Sequence, residues 1–113
     1  MASDLEFVEY VCDQISSAGL VSFRKMFGEY TIYCNGKVVA LICDNQFFLK
    51  PTDGGRSLLG SVVEAPPYPG AKLCFLVGDQ LDDRDWFSNL VRATERELPE
   101  PKPRKRKAVG AKQ

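Results

Sequence analysis

Near the start of the chain, Phe7, Val8, Val11, Cys12 and Ile15 recur at helical spacing, while Asp4, Glu6, Glu9 and Asp13 fall outside that stripe. Ser3 and Glu6 stand at the spacing of a capping box, and Gly19 supplies a C-terminal stop. A first helix is therefore predicted between them. From Val21 the pattern becomes that of strands: Val21–Met26, Glu29–Cys34, Lys37–Cys43 and Gln46–Lys50 read as four in succession. Gly28 interrupts the first two where a bulge or bend is expected. Asn35-Gly36 is a strong hairpin signal, because both central residues of that turn need positive φ, and Asp44-Asn45 reads as a second tight turn.

A two-residue loop at Asn35-Gly36 would pair Cys34 with Lys37, Ile32 with Val39 and Tyr30 with Leu41. One face of the sheet then carries Tyr30, Ile32, Val39, Leu41 and Phe48. The other carries Thr31, Tyr33, Val38, Ala40, Ile42, Phe47 and Leu49. Both faces are apolar, whereas an antiparallel sheet with one wet face alternates more clearly. Three arrangements meet this pattern: helices on both sides, a face that meets another molecule, or a second face half covered by loops and its own aromatics.

Pro51-Thr52-Asp53 ends the meander. Thr52 or Asp53 can cap a short helix through Arg56, Ser57, Leu58 and Leu59, which Gly54 and Gly55 weaken. Ala65 to Gly70, with three prolines, reads as an ordered loop or edge, and Lys72–Val77 as the last strand. Asp82 or Asp83 caps a final helix whose stripe is Trp86, Phe87, Leu90 and Val91, extended to Leu98. The predicted order is helix, strands, short helix, strand, helix, an α+β arrangement.

Composition refines this picture. The chain has 113 residues, 44% of them apolar, enough for one domain with a single core. No apolar run is long enough for a membrane helix, and the acidic start lacks the features of a signal peptide, so a cytoplasmic protein without membrane contact is expected. The formal net charge of zero hides a division. Residues 1–98 carry nine Lys/Arg against fourteen Asp/Glu, and residues 99–113 carry six against one. The sequence therefore divides into a domain over 1–98 and a basic tail over 99–113, too poor in apolar residues to fold alone.

There is no histidine, which removes the Ser-His and Cys-His mechanisms and the commonest general base at neutral pH. Cys12, Cys34, Cys43 and Cys74 include no C-x-x-C pair. The odd separation of Cys34 and Cys43 is expected to put them on opposite faces of an unbulged sheet, so buried, reduced thiols are expected rather than a disulfide. Cys34 lies near Lys37, a basic neighbour that could lower a thiol pKa, but no other catalytic group accompanies it. Asp79, Asp82, Asp83 and Asp85 lack calcium-loop spacing and suit a helix start. No cofactor, metal or catalytic residue is expected, and the chain reads as a non-enzyme.

Two groups of residues are candidates for binding. Arg24, Lys25, Lys50, Tyr68 and Lys72 could form an anion- or partner-binding surface, although adjacent Arg24 and Lys25 point to opposite faces of an ideal strand. Protection of a sheet edge is the plainer account of those cations. Lys102, Arg104, Lys105, Arg106 and Lys107 could hold nucleic-acid phosphates weakly and without sequence preference. A solvated tail is the plainer account there.

The segment Arg24-Lys25-Met26-Phe27-Gly28, then Tyr33, Gly36 and Lys37, then Phe48-Leu49-Lys50, resembles the signature of the TfoX N-terminal-domain family, which includes bacterial competence regulators. Tyr68-Pro69-Gly70-Ala71-Lys72 and the helix around Asp85-Trp86 look like one branch of it. The resemblance implies a two-layer, secretion-chaperone-like α+β fold, with an antiparallel sheet and helices at its start, middle and end. It also implies an additional strand within residues 61–65. Full-length regulators of the family carry a second, C-terminal domain, so a stand-alone N-terminal domain is implied here. The function implied is a regulatory or protein-interaction module with an unidentified protein partner. A homodimer through an apolar sheet face is one form of it, and nucleic-acid contact through the tail is the alternative.

Overall fold

A computed structural model describes residues 3–26, 29–78 and 80–99. The elements run α1 (Leu5–Gln14), a 3-10 turn (Ser16–Ala18), β1 (Val21–Met26), β2 (Glu29–Cys34), β3 (Lys37–Cys43) and β4 (Gln46–Leu49). They continue with α2 (Asp53–Leu59), β5 (Glu64–Ala65), β6 (Cys74–Val77) and α3 (Arg84–Glu97). The six strands form one antiparallel sheet in the order β1-β2-β3-β4-β6-β5. The fold is α+β, and the strand expected within residues 61–65 is β5. Gly28, Asp79 and the tail lysines and arginines lie outside the described residues.

Both hairpin turns form as their residues dictate. Asn35 and Gly36 have φ of 54° and 83°, Asp44 and Asn45 of 53° and 56°. All four sit in the left-handed region that makes a two-residue turn follow the twist of its strands. Asn35 also ties the sheet to the preceding segment, its Oδ1 accepting from Leu20 N–H at 2.9 Å.

The register departs from the simple alternation. Cys34 faces Lys37 and Tyr33 faces Val38, but Ile32 then faces Ala40, Thr31 faces Leu41 and Tyr30 faces Ile42. Val39 is thus an extra residue on β3, a β-bulge, and Val39 and Ala40 both turn into the core. That single residue re-sorts the two faces. Ala40, Ile42, Phe47 and Leu49 join Tyr30 and Ile32, while Leu41 and Phe48 join Thr31. The bulge also separates Cys34 from Cys43. Across a two-residue hairpin their odd spacing alone would leave them on one face, so the expected outcome holds for a different reason.

All three helices among the described residues cover the same side of the sheet. Val8, Val11 and Ile15 of the first segment and Phe87, Leu90 and Val91 of α3 share one core with Ile32, Ile42, Phe47, Leu49 and Phe75. Phe47 meets Phe87 edge-on, with centroids 5.0 Å apart. The start of α1 differs from the capping box: Asp4 is the N-cap without a side-chain capping bond. Ser3 Oγ instead donates to Glu29 Oε1 at 2.6 Å and accepts from Asn45 N–H at 3.0 Å. Tertiary partners outbid the local cap. Gly19 follows the 3-10 turn rather than α1 itself.

Thr52 and Asp83 are the side-chain caps of α2 and α3, accepting from Gly55 N–H and Trp86 N–H. The glycines that weaken α2 have a tertiary use. Glu97 of α3 reaches the start of α2 and accepts from Asp53 N–H at 3.2 Å and Gly54 N–H at 2.6 Å. A Cβ at Gly54 would occupy the place of that carboxylate. Arg56 then links α2 to the sheet, pairing with Glu64 at 2.9 Å and lying 5.1 Å over the Phe75 ring.

Candidate functional site

Because the helices take one side, strand alternation sends a second set of side chains to the other. Cys43, Phe48 and Cys74 are buried there, and Leu41, Ala65 and Leu76 pack against them. The loop between β5 and β6 provides part of the cover. Ala71 N–H bonds Tyr68 O at 3.1 Å, and Gly70 has φ of 87°. Proline followed by a positive-φ glycine is the chemistry of a type II turn. That turn presents Tyr68 to β1–β3 and leaves a groove of about 400 Å³ lined by Met26, Glu29, Thr31, Leu41, Cys43 and Tyr68. The face is half covered and half open: Phe48 is buried, while Met26 and Tyr68 are 46% and 57% exposed.

The candidate binding residues do not gather as one cluster. Arg24 pairs with Thr31 and so lies on the open side, whereas Lys25 pairs with Tyr30 on the helix-covered side. Tyr68 lines the groove. Lys50 stands near Cys74, whose Sγ donates weakly to the Lys72 carbonyl at 3.8 Å. Arg24, Lys50 and Tyr68 are thus associated with the open face, and Lys25 is not. Lys102, Arg104, Lys105, Arg106 and Lys107 lie outside the described residues. Met26, Leu41 and Cys43 were not singled out as groove residues from the sequence. Their signal was the doubly apolar pattern, which the bulge scrambles.

Lys37 has a different role from that of a thiol activator. It is 8% exposed, and its Nζ pairs with Glu95 Oε2 at 3.0 Å and also donates to Glu95 O at 3.0 Å. The Cys34 thiol is still pushed up, first by burial and then by Glu95, with Arg92 and Lys37 opposing. Burial is also the main cause at the other three. Cys12 is raised from 9.0 to about 11 with help from Glu9, and Cys43 from 9.0 to about 11 with help from Glu29 and Cys74. Cys74 is raised by burial against the opposing charge of Lys50. All four are free thiols, and burial favours the protonated form at each. Among the described residues no group of three or more His, Cys, Asp or Glu side chains gathers to hold a metal, and no helix is long and apolar enough to cross a membrane.

Iodoacetamide at pH 8 is expected to label Cys12 and Cys43 about 100-fold more slowly in the native protein than in denaturant, following the thiolate fraction. Mass spectrometry of timed samples reads the rates. Stability has the matching sign. A protonated thiol is favoured by the fold, so the contribution is complete below pH 9 and declines between pH 9 and about 11 as the unfolded chain loses its protons first.

A family model described as the TfoX N-terminal domain matches residues 13–98. A curated relative from Spirochaeta aurantia, described as an uncharacterized 12.7 kDa protein in the trpE 5' region, is 42% identical over 107 residues. The match covers 95% of this chain and 93% of the relative.

Proposed function

The chain belongs to the TfoX N-terminal domain family, a regulatory kind of domain, and on that premise we propose that it is a non-enzymatic module that docks another protein on the open face of its sheet. The observation that carries this reading is the groove beside Met26, Leu41 and Tyr68, an apolar opening on a face that bears no helix among the described residues. Apolar surface flanked by polar groups is the usual form of a protein-binding patch, with an exposed aromatic as its anchor. Burial of the thiols and a chain without histidine support binding over group transfer as its chemistry. Contact of this kind would serve transcription regulation in the cytoplasm.

A photo-crosslinking residue placed at Tyr68, expressed in the native host, tests the reading against the same residue at Leu58 on α2. One identified protein, at least tenfold more abundant from Tyr68 than from Leu58, is the expected product. Equal yields from the two positions would reject the open face. A second copy of this chain as the sole product would make the interface a homodimer instead.

A further inference from the structure

The edge of the sheet bears on what kind of segment such a partner offers. β1 ends the strand order and pairs only with β2, so among the described residues no strand covers its outer side. It is six residues long, an edge of about 20 Å. The opposite edge, β5, has two residues. Ser22, Arg24, Lys25 and Met26 are all exposed. Neither Arg24 nor Lys25 has a carboxylate partner among the described residues.

Charge at an edge can simply discourage pairing. That accounts for the cations but not for a groove that opens beside the same strand, with Met26 as its wall. Free peptide groups select a strand-forming partner, and a side chain of an added strand that points to the open face falls next to Met26. The cations select the partner's charge. Two copies of β1 paired antiparallel would bring two Arg24 and two Lys25 residues into adjoining positions, which like charges oppose. The chain's own tail, with six Lys/Arg against one acidic residue, has the same sign. A nucleic acid supplies negative charge but neither an apolar side chain for the groove nor the peptide N–H and C=O groups that a strand edge takes.

We propose that β1 is an acceptor strand for an extended, acidic segment of a partner protein, which adds to the free edge and sets an apolar side chain at the Met26–Leu41–Tyr68 groove. This rests on the open face being the docking surface.

The probe is a capped ten-residue peptide alternating glutamate with valine, with one central valine replaced by leucine and the valines two residues to either side of it replaced by glutamate, so that acidic side chains reach both the Arg24 and the Lys25 face; it is titrated into the isotope-labelled full chain and followed by amide NMR. Saturable shifts at residues 21–26, Leu41 and Tyr68 are expected. N-methylation of alternate peptide groups, or replacement of every glutamate by lysine, should weaken binding at least tenfold. The variant Arg24→Glu/Lys25→Glu should prefer the lysine peptide. Equal binding of the N-methylated or lysine peptide to the native chain, or shifts confined to the helices, would overturn the inference. If the peptide fails while Tyr68 still crosslinks to its partner, only the edge inference falls. If the peptide adds to β1 while Tyr68 captures nothing, the docking face itself is wrong.

Discussion

Replacing Phe87 with alanine is expected to cost about 3–5 kcal/mol, which for a domain of this size lowers Tm by roughly 12 °C or more. Phe87 is fully buried on α3 and meets Phe47 of central strand β4 edge-on, so the substitution opens a cavity where the helix layer joins the sheet. Backbone elements on both sides constrain the collapse of that cavity, which places the cost at the high end for such changes. Phe87→Leu keeps much of the volume and should lose less than half as much. Calorimetry of the two variants checks the order. A loss below about 1 kcal/mol for the alanine variant would show that α3 does not close this core.

Lys37→Ala is expected to cost about 3 kcal/mol, more than a lysine at a hairpin would ordinarily suggest. With the ammonium gone, Glu95 keeps a carboxylate only 15% exposed and loses the cation 3.0 Å away. Most of the cost is that stranded charge rather than the pair itself. The double variant Lys37→Met/Glu95→Gln should therefore recover to within about 1 kcal/mol of the native protein. Urea unfolding of the two single variants and the double variant measures the coupling. Additive losses would mean that the two groups act independently.

The elements whose signals are local were legible in the sequence. β1, β2 and β3 begin and end where the alternation and Asn35-Gly36 place them, and Thr52 and Asp83 cap as their positions suggest. What was not legible depends on distant partners or on one extra residue. The bulge falls within Val38-Val39-Ala40, where no glycine or polar residue marks it, and it changes the side on which Leu41 and Phe48 emerge. Glu97 and Asp53 are 44 residues apart, and Lys37 and Glu95 are 58 apart. No spacing rule links such pairs before the chain has folded. The candidate site was half visible. Tyr68 and Arg24 stood out by residue type and place, and alternation already set Arg24 apart from Lys25, whereas which of the two lies on the open side needed the register.

With the faces re-sorted, the doubly apolar strands have a physical account. Among the described residues, one face is the core under three helices, and the other is a partial cover with a groove beside an edge that no strand covers. The account claims that this second face is where the protein works. The direct test is the affinity of the partner identified from Tyr68, measured against two variants with matched thermal stability. Met26→Asp/Tyr68→Asp alters the groove, and Tyr10→Asp/Leu58→Asp alters exposed apolar positions on the helix layer. The account predicts roughly 100-fold weaker binding for the first and a change within about twofold for the second. Full affinity in the groove variant, with binding lost in the helix-layer variant, would contradict it.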